Sequence, residues 1–251
     1  MSTSSTSTTH IAAVVRKELT EFRRNRFILA TMAVLPVLFL ISPTASVLAS
    51  KAAADSQKLD HQVGLSLMFL MLIPLLLPAT VAANSVVGER EQGTLEPVLT
   101  TPIRREELLI GKAVANLIPA VVLSYLVLGV FLAVVGIGAN PVIATAISHS
   151  PQLLAEVFYI PLLAGWAVWV GIAVSTKAND TRVAQQLSTL ASLPPVAVIA
   201  LMSFNVIKPT LATALAFGGL LLVIDFAAYL VVAKLFDRER LITGTKPSTG
   251  H

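Results

Sequence analysis

An all-α, polytopic membrane fold is predicted by three properties of this chain. Hydrophobic residues make up 55% of its 251 residues and charged residues only 13%, with a mean hydropathy of +0.79, a balance that no soluble domain of this length sustains. Six segments are long and apolar enough to supply the roughly 20 helical residues that cross a hydrocarbon core of about 30 Å. Their apolar runs are continuous rather than alternating, which favours helices over a barrel, because a helix satisfies its backbone polar groups within one segment.

Residues 1–10 open on a Ser/Thr tract without apolar periodicity, which predicts a disordered tail. Over residues 11–26, Ile11, Val15, Leu19 and Phe22 recur at helical spacing while Arg16, Lys17, Glu21, Arg23 and Arg24 take the other faces. That pattern predicts an amphipathic helix suited to the membrane interface. Its role is open between a simple lead into the first span and contact with a cytoplasmic partner. The spans are expected at 27–49, 63–87, 113–136, 152–175, 187–205 and 210–234, followed by a cytoplasmic tail over 235–251. The first run is longer than the 7–15 apolar residues, roughly, of a cleavable signal and is interrupted by Pro36 and Pro43, so it reads as a retained span.

Basic residues set the orientation. With both termini inside, only Lys51, Lys58 and Lys208 of the 18 Lys and Arg lie outside. The net charge of +4 is thereby explained by topology, without a nucleic-acid partner. The expected location is the plasma membrane. The chain contains no Cys, so neither a disulfide framework nor a thiolate metal site arises.

Most charge of the middle sequence falls in the loop 88–112. The second span is expected to continue through Glu89, Arg90, Glu91 and Gln92 and to stop at Gly93, the residue that best tolerates a left-handed helix end. Thr94 then caps a short helix with Leu95, Val98 and Leu99 on one apolar face and Pro97 in its first turn. Thr101-Pro102 reads as a second start, an N-cap followed by Pro at the first helical position, with Arg104, Arg105, Glu106 and Glu107 leading into the third span. A short apolar-faced helix between two spans can enter a groove on a soluble subunit and pass a rigid-body movement to both.

This stretch resembles the signature region of the permease subunits of ABC transporters of the ABC-2 type. The resemblance rests on Gly88-Glu89-Arg90-Glu91, Gly93-Thr94-Leu95-Glu96, Thr101-Pro102, Arg105-Glu106, Glu107-Leu108-Leu109 and Gly111-Lys112. It implies an exporter-like complex of two permease chains, a homodimer by expectation, with two ATP-binding subunits that carry ATP and magnesium. Glu89 and Glu91 would lie at the junction of span and docking helix. Residues 95–99 would be that coupling helix, with Arg90, Gly93, Thr94, Glu96, Arg104 and Arg105 completing the ATPase-coupling set.

No catalytic constellation accompanies it. A phosphate-binding loop needs Gly-x-x-x-x-Gly-Lys-Ser/Thr, but the nearest stretch, ending Gly111-Lys112-Ala113, has Glu106 for the first Gly and Ala113 for the hydroxyl. The four histidines are scattered, and no Gly-x-Ser-x-Gly elbow occurs. The chain is expected to be no enzyme by itself, with no bound cofactor or metal.

Ionisable residues within spans are functional candidates because they are costly to insert. Asp225, inside the sixth span, is the clearest, either as a substrate, cation or cross-dimer contact or as a partner of a neighbouring hydroxyl. Glu156, near the outer end of the fourth span, is expected to face water. Prolines at 36, 74, 78, 119, 161, 194 and 195 predict kinks or breaks, with Pro194-Pro195 marking the fifth span as discontinuous. Small pairs Ala167/Gly171, Gly129/Ala133 and Ala212/Ala216 suggest helix contacts. An ion-gradient-driven secondary transporter or channel, with Asp225 as its ion-linked residue, remains the alternative to ATP-driven transport. A subunit that serves maturation or signalling is a third option.

Overall fold

The computed structural model describes residues 3–50, 56–94, 103–204, 206–208 and 210–235. Among these residues every regular element is an α-helix, as composition predicts. The helices are α1 (Thr3–Arg24), α2 (Arg26–Ala49), α3 (Ser56–Ala82), α4 (Val87–Glu91), α5 (Arg105–Gly138), α6 (Pro141–Ser148), α7 (Pro151–Lys177), α8 (Thr181–Leu190), α9 (Leu193–Ser203) and α10 (Leu211–Leu235). Six stretches are long and apolar enough to span a membrane: α2, α3 with α4, α5, α7, α8 with α9, and α10.

Helix α1 begins at Thr3 rather than near Ile11, so most of the tract expected to be disordered is helical. A tether outside local propensity accounts for this: His10 Nδ1 lies 3.0 Å from Glu107 Oε2 on α5. The chain then turns at Asn25, whose side chain accepts from the backbone N–H groups of Phe27 and Ile28. An Asx cap of this kind satisfies first-turn donors that the helix cannot.

The second span is the most deeply buried of the six, and α3 packs against α2, α5, α7 and α9. Its closest partner is α7, where a Cβ built on Gly171 would stand 2.7 Å from Ala82 Cβ and 3.2 Å from Ala83 N. A second close crossing joins α3 to α9, where a Cβ on Gly64 would meet the Ser203 carbonyl oxygen at 2.7 Å. Along α7, Tyr159, Ile160, Leu163, Ala164, Ala167, Val168 and Gly171 form the buried stripe. Of the three small pairs, only Ala167/Gly171 is buried; Gly129, Ala133, Ala212 and Ala216 are exposed in this chain. The outer faces of α2 and α10 stay apolar, with Leu38 62% and Val223 67% exposed, as surfaces that face lipid or another membrane helix should be.

Breaks fall at two places. The fifth span is interrupted at Ala191 and Ser192, between α8 and α9, just ahead of Pro194-Pro195 as predicted. In the second span the helix gives way at Ala83–Val86, between α3 and α4, where continuity to Gln92 was expected. Prolines 36, 74, 78, 119 and 161 sit inside continuous helices, so none of these five marks a break. Helix α6, between the third and fourth spans, has no counterpart among the expected elements; Pro141 at its first turn and the Asn140 cap on Val142 N–H start it.

The Gly171 crossing yields a stability test. Gly171→Leu should destabilise the folded bundle by about 1–3 kcal/mol through overpacking against α3, whereas Gly129→Ala, with no atom within 4 Å of the added Cβ, should be neutral. Thermal unfolding of the two purified variants in detergent measures the difference.

Candidate functional site

Ion pairs and backbone repairs gather at the end of the bundle that carries α1. Lys112 on α5 is fully buried, and its Nζ donates to Glu18 Oε1 at 2.8 Å and to the Ser85 carbonyl at 2.8 Å and lies 2.9 Å from Glu89 Oε2. Two ammonium protons are therefore hydrogen-bonded, and the contact with Glu89 Oε2 is an ion pair. From the other side, Lys17 Nζ approaches Glu89 Oε1 at 2.5 Å and Glu21 Oε1 at 3.1 Å. Burial pulls the Lys17 amine down, but the surrounding Glu18, Glu89 and Glu21 carboxylates outweigh it and hold its pKa above the ordinary lysine range. Oxygens of Glu18, Glu21 and Glu89 lie within 4.8 Å of one another, and the two ammonium groups supply the countercharge there.

Local sequence makes this packing possible. At Gly111, next to Lys112, an added Cβ would stand 2.6 Å from Val14 Cγ1, so α1 can lie directly on α5. Leu108 and Leu109 complete the seam with Val14, Ala82 and Val86. The Gly-Lys pair thus combines a close helix crossing with a buried charge. At the start of α5, Glu107 Oε2 accepts from the Arg104 backbone N–H at 3.1 Å, which puts the helix start at Arg105 with Arg104 as its N-cap, later than Thr101-Pro102 predicted. A carboxylate three residues into the helix satisfies a donor at its mouth.

The break in the second span is repaired by residues from elsewhere. Ser175 Oγ on α7 accepts from both Val86 N–H and Val87 N–H at 3.0 Å; Lys112 takes the Ser85 carbonyl. Asn84 Nδ2 donates back to the Thr80 carbonyl at 2.9 Å. Helix α4 ends at Gly93, which has φ +68°, the left-handed end predicted for it. Thr94 N–H returns to the Glu89 carbonyl at 2.9 Å.

Three consecutive residues of α4 reach three different parts of the bundle. Glu89 meets Lys17 on α1 and Lys112 on α5. Arg90 donates to the Ala178 and Thr176 carbonyls at the end of α7, at 3.1 and 3.3 Å. Glu91 accepts from the Thr181 backbone N–H at 3.0 Å and from its hydroxyl, at the start of α8. This arrangement fixes one short helix to four others.

The structure therefore unites Glu89, Arg90, Glu91, Gly93 and Thr94, while Arg104 and Arg105 lie exposed at the start of α5. Leu95, Glu96, Val98 and Leu99, the expected docking helix, fall outside the described residues. Sequence reasoning missed Glu18, Lys112 as a buried charge, and Ser175. Glu18 is legible as the one acidic residue in register with the buried Val14 and Phe22 positions of α1.

Comparison with known proteins decides the family. The family model described as "ABC-2 family transporter protein" matches residues 12–234. The chain belongs to the ABC-2 transporter family. A relative, the probable ABC transporter permease protein NosY of Stutzerimonas stutzeri, is 33% identical over 109 residues. That alignment covers 41% of this chain and 37% of the relative, little more than a third of the latter's length.

Two intramembrane carboxylates lie apart from this site in the ABC-2 chain. Glu156 is not water-facing as expected: it is 1% exposed, and neither carboxylate oxygen has a partner among the described residues. Its register on α7 explains the error, since it precedes Tyr159, Ile160 and Leu163 on the buried stripe. Asp225 lies over Gly165 of α7, where an added Cβ would approach its Oδ2 to 2.8 Å. Its Oδ1 is buried without a partner, so no neighbouring hydroxyl satisfies that atom.

Lys112→Ala should destabilise the protein by about 3–5 kcal/mol, because it removes the fully buried cation and leaves Glu18, Glu21 and Glu89 to share the single charge of Lys17. Ser175→Ala should lose about 1–3 kcal/mol by leaving two buried amides unpaired. Unfolding midpoints in detergent check both, and a wild-type midpoint for Lys112→Ala would contradict the role given to the ammonium.

Proposed function

We propose that this chain is the membrane-spanning permease subunit of an ATP-driven ABC exporter in the plasma membrane. In this reading it pairs with a second permease chain and two ATP-binding subunits, which hold ATP and magnesium, and both termini are cytoplasmic. Family membership and the permease relative support the class, and the distribution of Lys and Arg supports the orientation. The observation that carries the coupling role is the fan of contacts from Glu89, Arg90 and Glu91.

The coupling helix at 95–99 receives a displacement when the ATP-binding subunits close. Gly93 is the corner between that helix and α4. Helix α4 passes the displacement to α1 and α5 through Glu89, to the end of α7 through Arg90 and to the start of α8 through Glu91. Interruption at Ala83–Val86 frees α4 to shift without bending the buried length of α3, while Ser175 and Lys112 keep the interrupted backbone bonded. Side-chain and backbone contacts of this kind are discrete, so the joint has defined arrangements rather than a continuous bend.

Asp225 is assigned to the translocation path or to the contact between permease chains, because an unpartnered carboxylate oxygen in a span calls for a donor. The family match favours the ATP-driven reading over a carrier driven by an ion gradient. A carrier would have no use for a docking loop between its second and third spans.

In vesicles containing the assembled transporter, Glu91→Gln and Leu95→Glu should each lower permease-dependent ATPase activity at least about tenfold, on the order of 1.4 kcal/mol of coupling. Membrane insertion, read from protease-protected fragments, should be unchanged. Full ATPase coupling in both variants would refute the assignment. Transport by the purified chain alone, driven by an ion gradient and lost in Asp225→Asn, would instead establish the carrier.

A further inference from the structure

One surface is untouched by the coupling joint. On the side of α1 facing α2 and α5 lies a groove of about 930 Å³. Its walls are apolar, formed by Leu19 of α1, Leu29 and Met32 in the first turns of α2, and Pro119 within α5. At its rim stand Arg16 and Arg23. Both are exposed, and neither guanidinium has an ion-pair or hydrogen-bond partner among the described residues.

Their spacing is informative. Seven residues apart on a helix is two turns, about 10 Å, on a single face. The acidic residues of α1 are engaged elsewhere, Glu18 with Lys112 and Glu21 with Lys17. The groove therefore presents two free cations above an apolar floor. That floor descends from α1 into the first and third spans, along the direction in which a lipid chain enters the bilayer. Guanidinium groups match phosphate oxygens with paired donors and are weakly hydrated, so they suit an interfacial phosphate better than a soluble one.

We propose that this groove is a binding site for an anionic phospholipid, with the headgroup phosphate at Arg16 and Arg23 and an acyl chain along Leu29, Met32 and Pro119. The inference rests on the interfacial placement of α1 and not on the coupling mechanism. Such a lipid fills the space between α1 and the first span and fixes the angle at which α1 meets α5. Lipid at this seat and the ionic joint then hold α1 from opposite sides.

The test uses the full chain, reconstituted in vesicles of equal parts phosphatidylglycerol and phosphatidylcholine and extracted in mild detergent. Retained lipid is identified by mass spectrometry. The wild-type protein should keep phosphatidylglycerol in preference to phosphatidylcholine. Arg16→Gln/Arg23→Gln should weaken retention by about 30-fold, from about 1 kcal/mol for each basic residue near the surface. Met32→Trp, which fills the floor and leaves both arginines, should lower retention as well. Arg24→Gln/Arg26→Gln removes the same charge outside the groove and should leave retention near wild type. Equal retention of both lipids, wild-type retention in Arg16→Gln/Arg23→Gln or in Met32→Trp, or an equal loss in Arg24→Gln/Arg26→Gln would each overturn the site. ATPase coupling is a separate readout, so failure here leaves the permease assignment standing.

Discussion

A single buried ammonium group organises one end of this molecule. Removing a lysine from water is expensive, and the interior returns that energy only when hydrogen-bond acceptors and opposite charges lie close. Lys112 meets both conditions with Glu18, Glu89 and the Ser85 carbonyl. Those acceptors belong to α1, α4 and the unwound turn before α4. The charge can be buried only if all three assemble around α5. Lys17 extends the same logic outward, sharing Glu89 with Lys112.

Geometry next to that charge is equally constrained. Gly111 lets α1 approach α5, and without that approach Glu18 would not reach Lys112. Opposite, Gly171 lets α7 approach the end of α3 and so brings Ser175 onto the free amides of Val86 and Val87. Two glycines set helix separations, and two polar side chains use those separations to stabilise an interrupted span. Unpaired backbone groups at membrane depth are tolerated only where protein satisfies them, which is why the break occurs at the contact with α7 and not elsewhere along α3.

How much of this was legible in the sequence depends on the range of the interaction. The spans follow from apolar runs, a local property, and the described residues hold six helical stretches long and apolar enough to cross a membrane. The left-handed turn at Gly93 follows from residue type, and the fifth-span break from Pro194-Pro195. The break at Ala83–Val86 has no Gly or Pro to announce it; its only local trace is the polar pair Asn84-Ser85. Its partner Ser175 is 89 positions from Val86, beyond any local pattern. The burial of Lys112 has no local signal either, because its partner Glu18 lies 94 positions away. Glu156 was misjudged from its nearness to a span end, although the spacing to Tyr159, Ile160 and Leu163 carried the correct answer. Five of the span prolines leave their helices continuous, since backbone groups that a proline frees can be satisfied by its surroundings.

The interrupted second span also bears on the order in which the protein is made. Chain synthesis delivers α3 and α4 to the membrane well before Ser175 exists, and the amides of Val86 and Val87 have no protein acceptor until the fourth span arrives. The Ser85 carbonyl waits a shorter time, for Lys112 at the head of the third. During that interval the end of the second span must stay at the lipid–water boundary, where water can serve its peptide groups. The second span is thus completed late, by the fourth, and a chain halted after the third span would present an unfinished second one to the cell's quality control.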